Sequence, residues 1–256
     1  MIPIKTAEEV EALRRSAALL VRTFRDVEKA LRPGATTAEL DEIAYQTIIR
    51  GGGKPAFKGY NGYPATVCVS IDEQVVHGIP GSRPIREGEI VSLDIGVNLE
   101  GFFSDAAKSY VIGEVSQEKR RLIETTRAAL TEGIRQCRPA NRLSDISHAI
   151  QRAAEDAGFS VVRELVGHGI GRDLHEEPQV PNFGAAHRGP RLQAGMVFAI
   201  EPMINIGSEK VRILEDGWTV VSEDGAPSAH FEHTVLITEN RPEILTAGID
   251  GNSQER

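Results

Sequence analysis

Four carboxylates stand in segments that are otherwise apolar enough to form buried β-strands. They are Asp94, Asp105, Glu201 and Glu232, which lie in or directly after the runs 90–97, 101–104, 196–203 and 231–237. A buried carboxylate without a partner costs several kcal/mol or takes up a proton, and four together repel one another. No lysine or arginine lies in these runs. The chain must therefore fold so that the acids share a cationic partner, and bound metal ions are the natural choice.

The acids have small neighbours on their own face of each predicted strand. Alternation along a strand groups Asp94 with Ser92 and Gly96. It likewise groups Glu201 with Ala199. Small side chains leave room for ions and water, while the apolar residues of the opposite face can pack in a core.

Helical spacing of apolar residues predicts four α-helices, over residues 6–31, 37–49, 116–137 and 143–157. Thr6 followed by Glu9 predicts a capping box at the start of the first helix. A shift of 106 residues superimposes features of the first pair of helices on the second pair, including Arg32-Pro33 on Arg138-Pro139 and Gly52 on Gly158. Such a matched register favours an internal duplication over chance.

The β segments alternate and are joined by turn signals, among them 98–101 and 215–217. This pattern favours antiparallel hairpins over βαβ crossovers. The predicted fold class is α+β, with helices covering one face of a curved antiparallel sheet and with pseudo-twofold symmetry between halves of about 1–110 and 111–247. We expect residues 1–256 to form one domain and the polar stretch 248–256 to be a frayed tail.

The composition argues against several classes of protein. The formal net charge of -8 disfavours direct nucleic-acid binding. No apolar run approaches the ~20 residues of a membrane span, and the N-terminus is charged too early for a signal peptide. Cys68 and Cys137 are too few and too far apart for a disulfide framework. We therefore expect a cytoplasmic protein that does not bind membranes.

Histidines are concentrated in the segment 167–178, which contains His168 and His175. Pro178 rules out the His-Glu-x-x-His helix of zinc proteases, and the chain has no Gly-x-Ser-x-Gly elbow of serine hydrolases. Together with the four acids, His168 gives an oxygen-rich donor set that suits Mn, Fe(II), Co or Zn. Two bridging carboxylates can hold two such ions ~3.5–4 Å apart with a hydroxide between them, as in dinuclear hydrolases.

At these residues the sequence resembles a type I methionine aminopeptidase of the bacterial kind, over roughly residues 4–245. The segments that show the resemblance are 75–80, 93–96, 104–105, 167–181, 200–203 and 231–234. It implies the duplicated "pita-bread" fold, two divalent metal ions, and metal-dependent removal of the N-terminal methionine from nascent proteins and peptides, with a small second residue preferred. The implied partners are the N-termini of nascent polypeptides, and the protein is expected to be a monomer. Whether it also binds ribosomes stays open.

The resemblance also implies roles for individual residues. The metal ligands would be Asp94, Asp105, His168, Glu201 and Glu232, with Asp105 and Glu232 bridging both ions. A hydroxide between the metals would attack the carbonyl carbon, with Glu201 as the general base. His175 and His77 would contact the scissile peptide unit. The methionine pocket would be lined by Tyr60, Tyr63, Cys68 and Trp218.

Four positions depart from the family pattern. Leu165 and Leu174 stand where aromatic residues are usual, and Phe57 replaces a pocket cysteine of some bacterial members. His230 stands where glutamine is usual. The departures affect the expected pocket wall and remove none of the expected ligands.

Two other functions remain open from the sequence alone. One is another peptidase of the same fold, an X-Pro aminopeptidase or prolidase. The other is a non-catalytic binding relative, although such proteins lose ligands that this chain retains. Without the resemblance, Cys68 would be read as a core residue, and Trp218 would be a core residue or a pocket residue with equal weight.

Overall fold

The computed structural model describes residues 2–250. Its helices are α1 (Ala7–Glu28), α2 (Thr37–Arg50), α3 (Gln117–Arg135) and α4 (Leu143–Asp156). All four predicted helices are therefore present, and the predicted capping box between Thr6 and Glu9 is formed. No helix in the described residues has the length and apolar character needed to cross a membrane.

The strands alternate with short turns and with 3₁₀ helices at Tyr60–Gly62 and Ala247–Asp250. They are β1 (Lys54–Pro55), β2 (Val67–Ile71), β3 (Gln74–Val76), β4 (Ile90–Leu99), β5 (Phe102–Val111), β6 (Ser160–Val161), β7 (Gly167–Gly169), β8 (Glu176–Val180), β9 (Val197–Ile200), β10 (Met203–Asn205), β11 (Val211–Ile213), β12 (Val220–Ser222), β13 (Ser228–His230), β14 (Glu232–Leu236) and β15 (Glu243–Ile244).

The main sheet mirrors the predicted duplication. Within residues 2–250 it has nine strands in the order β1-β4-β5-β14-β9-β7-β8, with β2 on β4 and β15 on β14. All of its pairings are antiparallel. Strands of the first half lie on one side of the central β5–β14 pair, and strands of the second half lie on the other. This arrangement confirms the predicted α+β class and the antiparallel sheet.

Each half has its own hydrophobic core between its helices and the sheet. In the first half, Leu20 and Phe24 of α1 pack with Leu93 of β4. In the second half, Leu122 of α3 packs with Phe198 of β9. Each such side chain contributes about 1.5–3 kcal/mol on burial. Because side chains alternate between the two faces of a strand, Asp94, one residue after Leu93, and Glu201, three residues after Phe198, project away from the helices.

The C-terminal segment corrects one prediction. A frayed tail from Gly248 is wrong for residues 248–250, because they belong to the 3₁₀ helix at Ala247–Asp250. Ile249 is buried, and Asp250 lies 2.8 Å from the ring of His233. Lys108 also donates a hydrogen bond to the carbonyl oxygen of Ile249. The polar composition of residues 248–256 gave no sign that Ile249 would be buried. Residues 251–256 of the predicted tail lie outside the described part of the chain.

Candidate active site

Cross-strand register places three of the four acids on one face around the central strand pair. Asp94 on β4 lies opposite Ala107 on β5, and Ala107 lies opposite Glu232 on β14. Asp105 precedes Ala107 by two residues. Directly opposed residues of antiparallel strands point to the same face, as do residues two apart on one strand. The three carboxylates therefore converge on the small side chain of Ala107.

The second half supplies the remaining donors to the same face. His168 on β7 lies opposite Ala199 on β9, and Ala199 lies opposite Thr234 on β14. Thr234 follows Glu232 by two residues, and Glu201 follows Ala199 by two. Alternation therefore puts His168 and Glu201 beside the first three acids, again around an alanine.

The eleven predicted site residues line one cavity of about 210 Å³. Its lining consists of Phe57, Tyr60, Asn61, Tyr63, Cys68, His77, Asp94, Asp105, His168, Leu174, His175, Glu201, Trp218 and Glu232. Only Asn61, Phe57 and Leu174 were not among the predicted site residues, and the last two were noted as departures. Asn61 lies in a turn with φ of 48°, which no motif in the sequence marked.

The donor atoms are close enough to share a cation. One ligand atom each from Asp105, His168 and Glu232 lies within 4.8 Å of the other two. Nε2 of His168 lies 3.5 Å from Oε1 of Glu201. Oδ1 of Asp94, Oδ1 of Asp105 and Oε1 of Glu232 are buried without a hydrogen-bond partner among the described residues. Because buried polar atoms are normally paired, this donor set fits bound divalent ions.

Hydrogen bonds fix the orientation of two of these donors. Nδ1 of His168 lies 2.9 Å from the carbonyl oxygen of Gly169. A carbonyl only accepts, so Nδ1 is protonated and the Nε2 lone pair is free for a metal. The backbone of Asp105 is held twice by the Thr234 hydroxyl, which accepts from its N–H at 3.0 Å and donates to its carbonyl at 2.7 Å.

Burial raises the pKa values of all four acids, and repulsion from neighbouring acids adds to the rise in Asp105, Glu201 and Glu232. Burial is the main cause of the rise of the Asp94 pKa to about 7. Burial, followed by the charges of neighbouring acids, holds the pKa values of Asp105, Glu201 and Glu232 well above their usual range. Such a set is unfavourable when ionised, and a divalent cation reverses that preference.

One part of the cavity wall is aromatic and apolar. The rings of Tyr63 and Trp218 meet edge to face with centroids 5.1 Å apart. The Tyr63 hydroxyl lies 3.0 Å from two backbone carbonyl oxygens, which fixes that ring. Phe57 packs on Gly96, where a Cβ would come within 2.6 Å of its ring. Trp218 and Cys68 thus lie in the pocket wall rather than only in the core.

His175 and His77, which are predicted to contact substrate, lie at the aromatic wall and beside the predicted metal ligands. Nδ1 of His175 lies 2.6 Å from the Tyr60 hydroxyl, and its ring centroid is 4.2 Å from that of His168. His77 has φ of 60° and lies 6.4 Å from the Trp218 ring. Burial lowers the pKa of His77 to about 4 and lowers that of His175, so both rings are neutral at pH 7.

The departures from the family pattern fall in different places. Leu174 is buried and lines the cavity, so it forms part of the pocket wall. Leu165 is not among the lining residues and packs with Val162 and Met203. His230 is also absent from the lining, yet its Nε2 lies 3.8 Å from Oε2 of Glu201. The sequence offered no signal for this proximity because His230 and Glu201 are distant in the chain and approach only when β13 pairs with β10.

Known proteins resemble the chain over nearly its whole length. The sequence model of metallopeptidase family M24 matches residues 11–239. The chain is 49% identical to methionine aminopeptidase 1 of Bacillus subtilis over 246 residues, which is 96% of this chain and 99% of that protein. It is 51% identical to the methionine aminopeptidase of Clostridium perfringens, with the same coverage.

Solved structures agree. A crystal structure of methionine aminopeptidase from Thermotoga maritima matches with a TM-score of 0.94 and 45% identity, covering 96% of this chain and 99% of that one. A prolidase from Pyrococcus furiosus has a TM-score of 0.77 and 21% identity, with 95% of this chain but 65% of that chain covered, which shows a shared fold alone. The chain therefore belongs to metallopeptidase family M24 and, within that family, to the methionine aminopeptidases.

Proposed function

We propose that the chain hydrolyses the peptide bond after an N-terminal methionine, in peptides and nascent proteins, with two divalent metal ions bound. The observation that supports this most directly is one small cavity that combines five metal donors with an apolar, aromatic wall. Relatives of about 50% identity bear the name of the same activity.

The ions would be held by the five donors already described: Asp94, Asp105, His168, Glu201 and Glu232. The unpartnered buried oxygens and the free Nε2 of His168 support this assignment. When bound, such ions polarise a carbonyl and lower the pKa of an attacking water. In this proposal the Glu201 carboxylate accepts the proton that the water gives up.

The methionine side chain would occupy the space between Tyr63, Cys68, Leu174 and Trp218. A thioether gains from contacts with aromatic rings, which Tyr63 and Trp218 offer in this wall. The volume of the cavity, about 210 Å³, is below the usual range of drug-sized sites. This size fits one side chain and supports an exopeptidase. The preference for a small second residue is part of the proposal.

His175 and His77 would hold the scissile peptide unit. Nδ1 of His175 is occupied by the Tyr60 hydroxyl at 2.6 Å, so its Nε2 is the atom free to contact substrate. Because both rings are neutral at pH 7, they act through hydrogen bonds and not through a positive charge. We assign His175 to the carbonyl oxygen, where negative charge develops, and His77 to the amide nitrogen.

We further propose that the enzyme works as a cytoplasmic monomer on newly made chains, whose first residue is methionine. Both cysteines are free and buried, which is compatible with a reducing compartment. Size-exclusion chromatography with light scattering tests the monomer. Co-sedimentation with ribosomes decides whether the protein also docks there, a point that the proposed chemistry does not require.

The decisive experiment is methionine release from the peptide Met-Ala-Ser by protein stripped of metal and then given Mn, Co, Fe(II) or Zn. We expect release with at least one metal and none after chelation. Met-Leu-Ser should be cleaved poorly, and Ala-Pro should be left intact. Failure with every metal, or release unaffected by chelation, would refute the hydrolase. Preferred cleavage of Ala-Pro would instead indicate a prolyl peptidase.

A further inference from the structure

His230 is a buried histidine whose side chain has no partner in the interactions described so far. It ends β13 and lies opposite Met203 of β10, which follows Glu201 by two residues. Its backbone is fixed by Ser109 of β5, whose hydroxyl accepts from its N–H at 2.9 Å and donates to its carbonyl at 2.8 Å. The residue is 2% exposed. Its ring is therefore held in place beside the metal donors.

The Glu201 carboxylate lies between two imidazoles. Oε1 is 3.5 Å from Nε2 of His168, and Oε2 is 3.8 Å from Nε2 of His230. Nε2 of His230 is buried and has no hydrogen-bond partner among the described residues. A buried donor without a partner is costly, and the carboxylate oxygen of Glu201 is an acceptor within reach.

Chemistry distinguishes the two imidazoles. A neutral imidazole has one N–H, and in His168 it is on Nδ1 because that atom faces the carbonyl of Gly169 at 2.9 Å. In His230 the atom that faces a carboxylate oxygen is Nε2. An N–H directed at that oxygen attracts it, whereas a lone pair directed at it repels it. The two rings therefore favour opposite tautomers.

We propose that His230 is a positioning residue for the general base: its Nε2–H donates a hydrogen bond to Oε2 of Glu201 and holds Oε1 toward His168. A movement of the Glu201 carboxylate by about 1 Å shortens the distance between Nε2 of His230 and Oε2 of Glu201 to hydrogen-bond length. With Oε2 bound to Nε2–H of His230, the Glu201 carboxylate group is held in one orientation. This inference rests on the proposed function, in which Glu201 is the base.

Three substitutions at one position separate positioning from packing. In His230→Gln the amide nitrogen reaches the place of Nε2 and can still donate. In His230→Asn it reaches only the place of Nδ1, and His230→Leu has no donor. With the metal-loaded enzyme and Met-Ala-Ser, we expect the Gln variant to keep kcat within about threefold. The Asn and Leu variants should lose about ten- to a hundredfold in kcat, the range of a hydrogen bond to a charged group, with KM unchanged.

Metal content and thermal unfolding are measured on the same samples. Equal loss in all three variants, or a Leu variant as active as the parent enzyme, overturns the proposal. Loss of bound metal in proportion to lost activity also overturns it, in favour of a role in holding the ion. If the Leu variant does not fold, the comparison of Gln with Asn still decides, because both are polar and smaller than histidine.

A second readout does not depend on turnover. Protein labelled with ¹⁵N in its histidine rings is recorded by NMR with Zn bound, the state in which Glu201 is ionised. The signal lost in His230→Gln identifies His230, and we expect its Nε2 to be the protonated nitrogen. An unprotonated Nε2 overturns the proposal. If the parent enzyme releases no methionine, the proposed function fails while this tautomer still decides the contact between His230 and Glu201.

Discussion

At Glu201 the fold places a carboxylate where it resists ionisation. Burial, then the charges of Asp94 and Asp105, raise the pKa of this carboxyl well above its usual range. A general base must be ionised to accept a proton. The residue can therefore fill that role at neutral pH only if a cation offsets the neighbouring negative charges.

Replacing Glu201 by Gln tests this role directly. The amide has the same size and keeps the packing, but it cannot accept a proton, so we expect kcat to fall by about 10²- to 10⁴-fold. Methionine release and thermal unfolding are measured together. Glu114→Gln, at an exposed position, is the matched control and should change neither. Turnover near that of the parent enzyme would remove Glu201 from its assigned role.

Both thiols should be unreactive in the folded protein. Burial, together with the charge of Asp94, raises the pKa of Cys68, and burial raises that of Cys137. Since the thiolate is the reactive form, we expect a thiol reagent at pH 8 to detect neither cysteine in the native protein and both after denaturation. Rapid labelling of one thiol in a Cys137→Ser variant would show that the cavity admits the reagent to Cys68.

Among the elements, helices were predictable and the C-terminal segment was not. The helix α1 has an apolar stripe and a capping box at Thr6, which are local signals that survive without tertiary context. The 3₁₀ helix at Ala247–Asp250 is short, and Ile249 is its only large apolar residue. Its position depends on His233 and Lys108, which are distant in the chain, so no local pattern could reveal it.

Replacing Asp250 by Asn should loosen this segment. Burial disfavours the ionised carboxyl, but the hydrogen bond and charge from His233 outweigh it and keep the pKa below its usual range. Since its side chain is 37% exposed, we expect a loss of only about 1 kcal/mol in the free energy of unfolding at pH 7.

Because the pKa of Asp250 is lower in the folded chain than in the unfolded chain, the ionised carboxyl stabilises the fold at pH values above its unfolded pKa of about 4. The difference in free energy of unfolding between Asp250→Asn and the parent protein should therefore vanish as the pH falls below about 4. Denaturant unfolding at several pH values measures it. The control is Asp156→Asn, which breaks an exposed pair with Arg152 and should shift stability by less than about 0.5 kcal/mol. Equal effects of the two variants would contradict the inferred anchor.

For the whole molecule, we propose that the two halves form a single catalytic domain. The β5–β14 pairing joins them in one sheet, and donors from both halves line one cavity. The halves therefore share the backbone hydrogen bonds between β5 and β14 and a cluster of charged side chains in the cavity. Thermal unfolding should accordingly show one cooperative transition rather than two.

Metal should govern how that transition depends on pH. In the metal-free protein the folded carboxyls keep protons that the unfolded chain releases near pH 4. Stability should therefore fall as pH rises from about 4 through about 7, the pKa of Asp94. Bound divalent ions favour the ionised acids, so excess Mn should flatten the decline.

Thermal unfolding between pH 5 and pH 8, with chelator or with Mn, measures both slopes. Asp94→Asn removes one of the titrating acids and should lessen the decline in the metal-free protein. Parallel curves with and without metal would contradict this account of the cavity.

The sequence by itself determined the class of fold, the helices, and the chemistry of the donor set. Those features depend on periodicity, caps and residue type, all of which are local. Only the tertiary structure decided that Ala107 and Ala199 are the points around which the donors converge, that Leu174 lines the pocket while Leu165 does not, and that His230 approaches Glu201. Such relations are set by strand register and packing between distant segments, which no local pattern encodes.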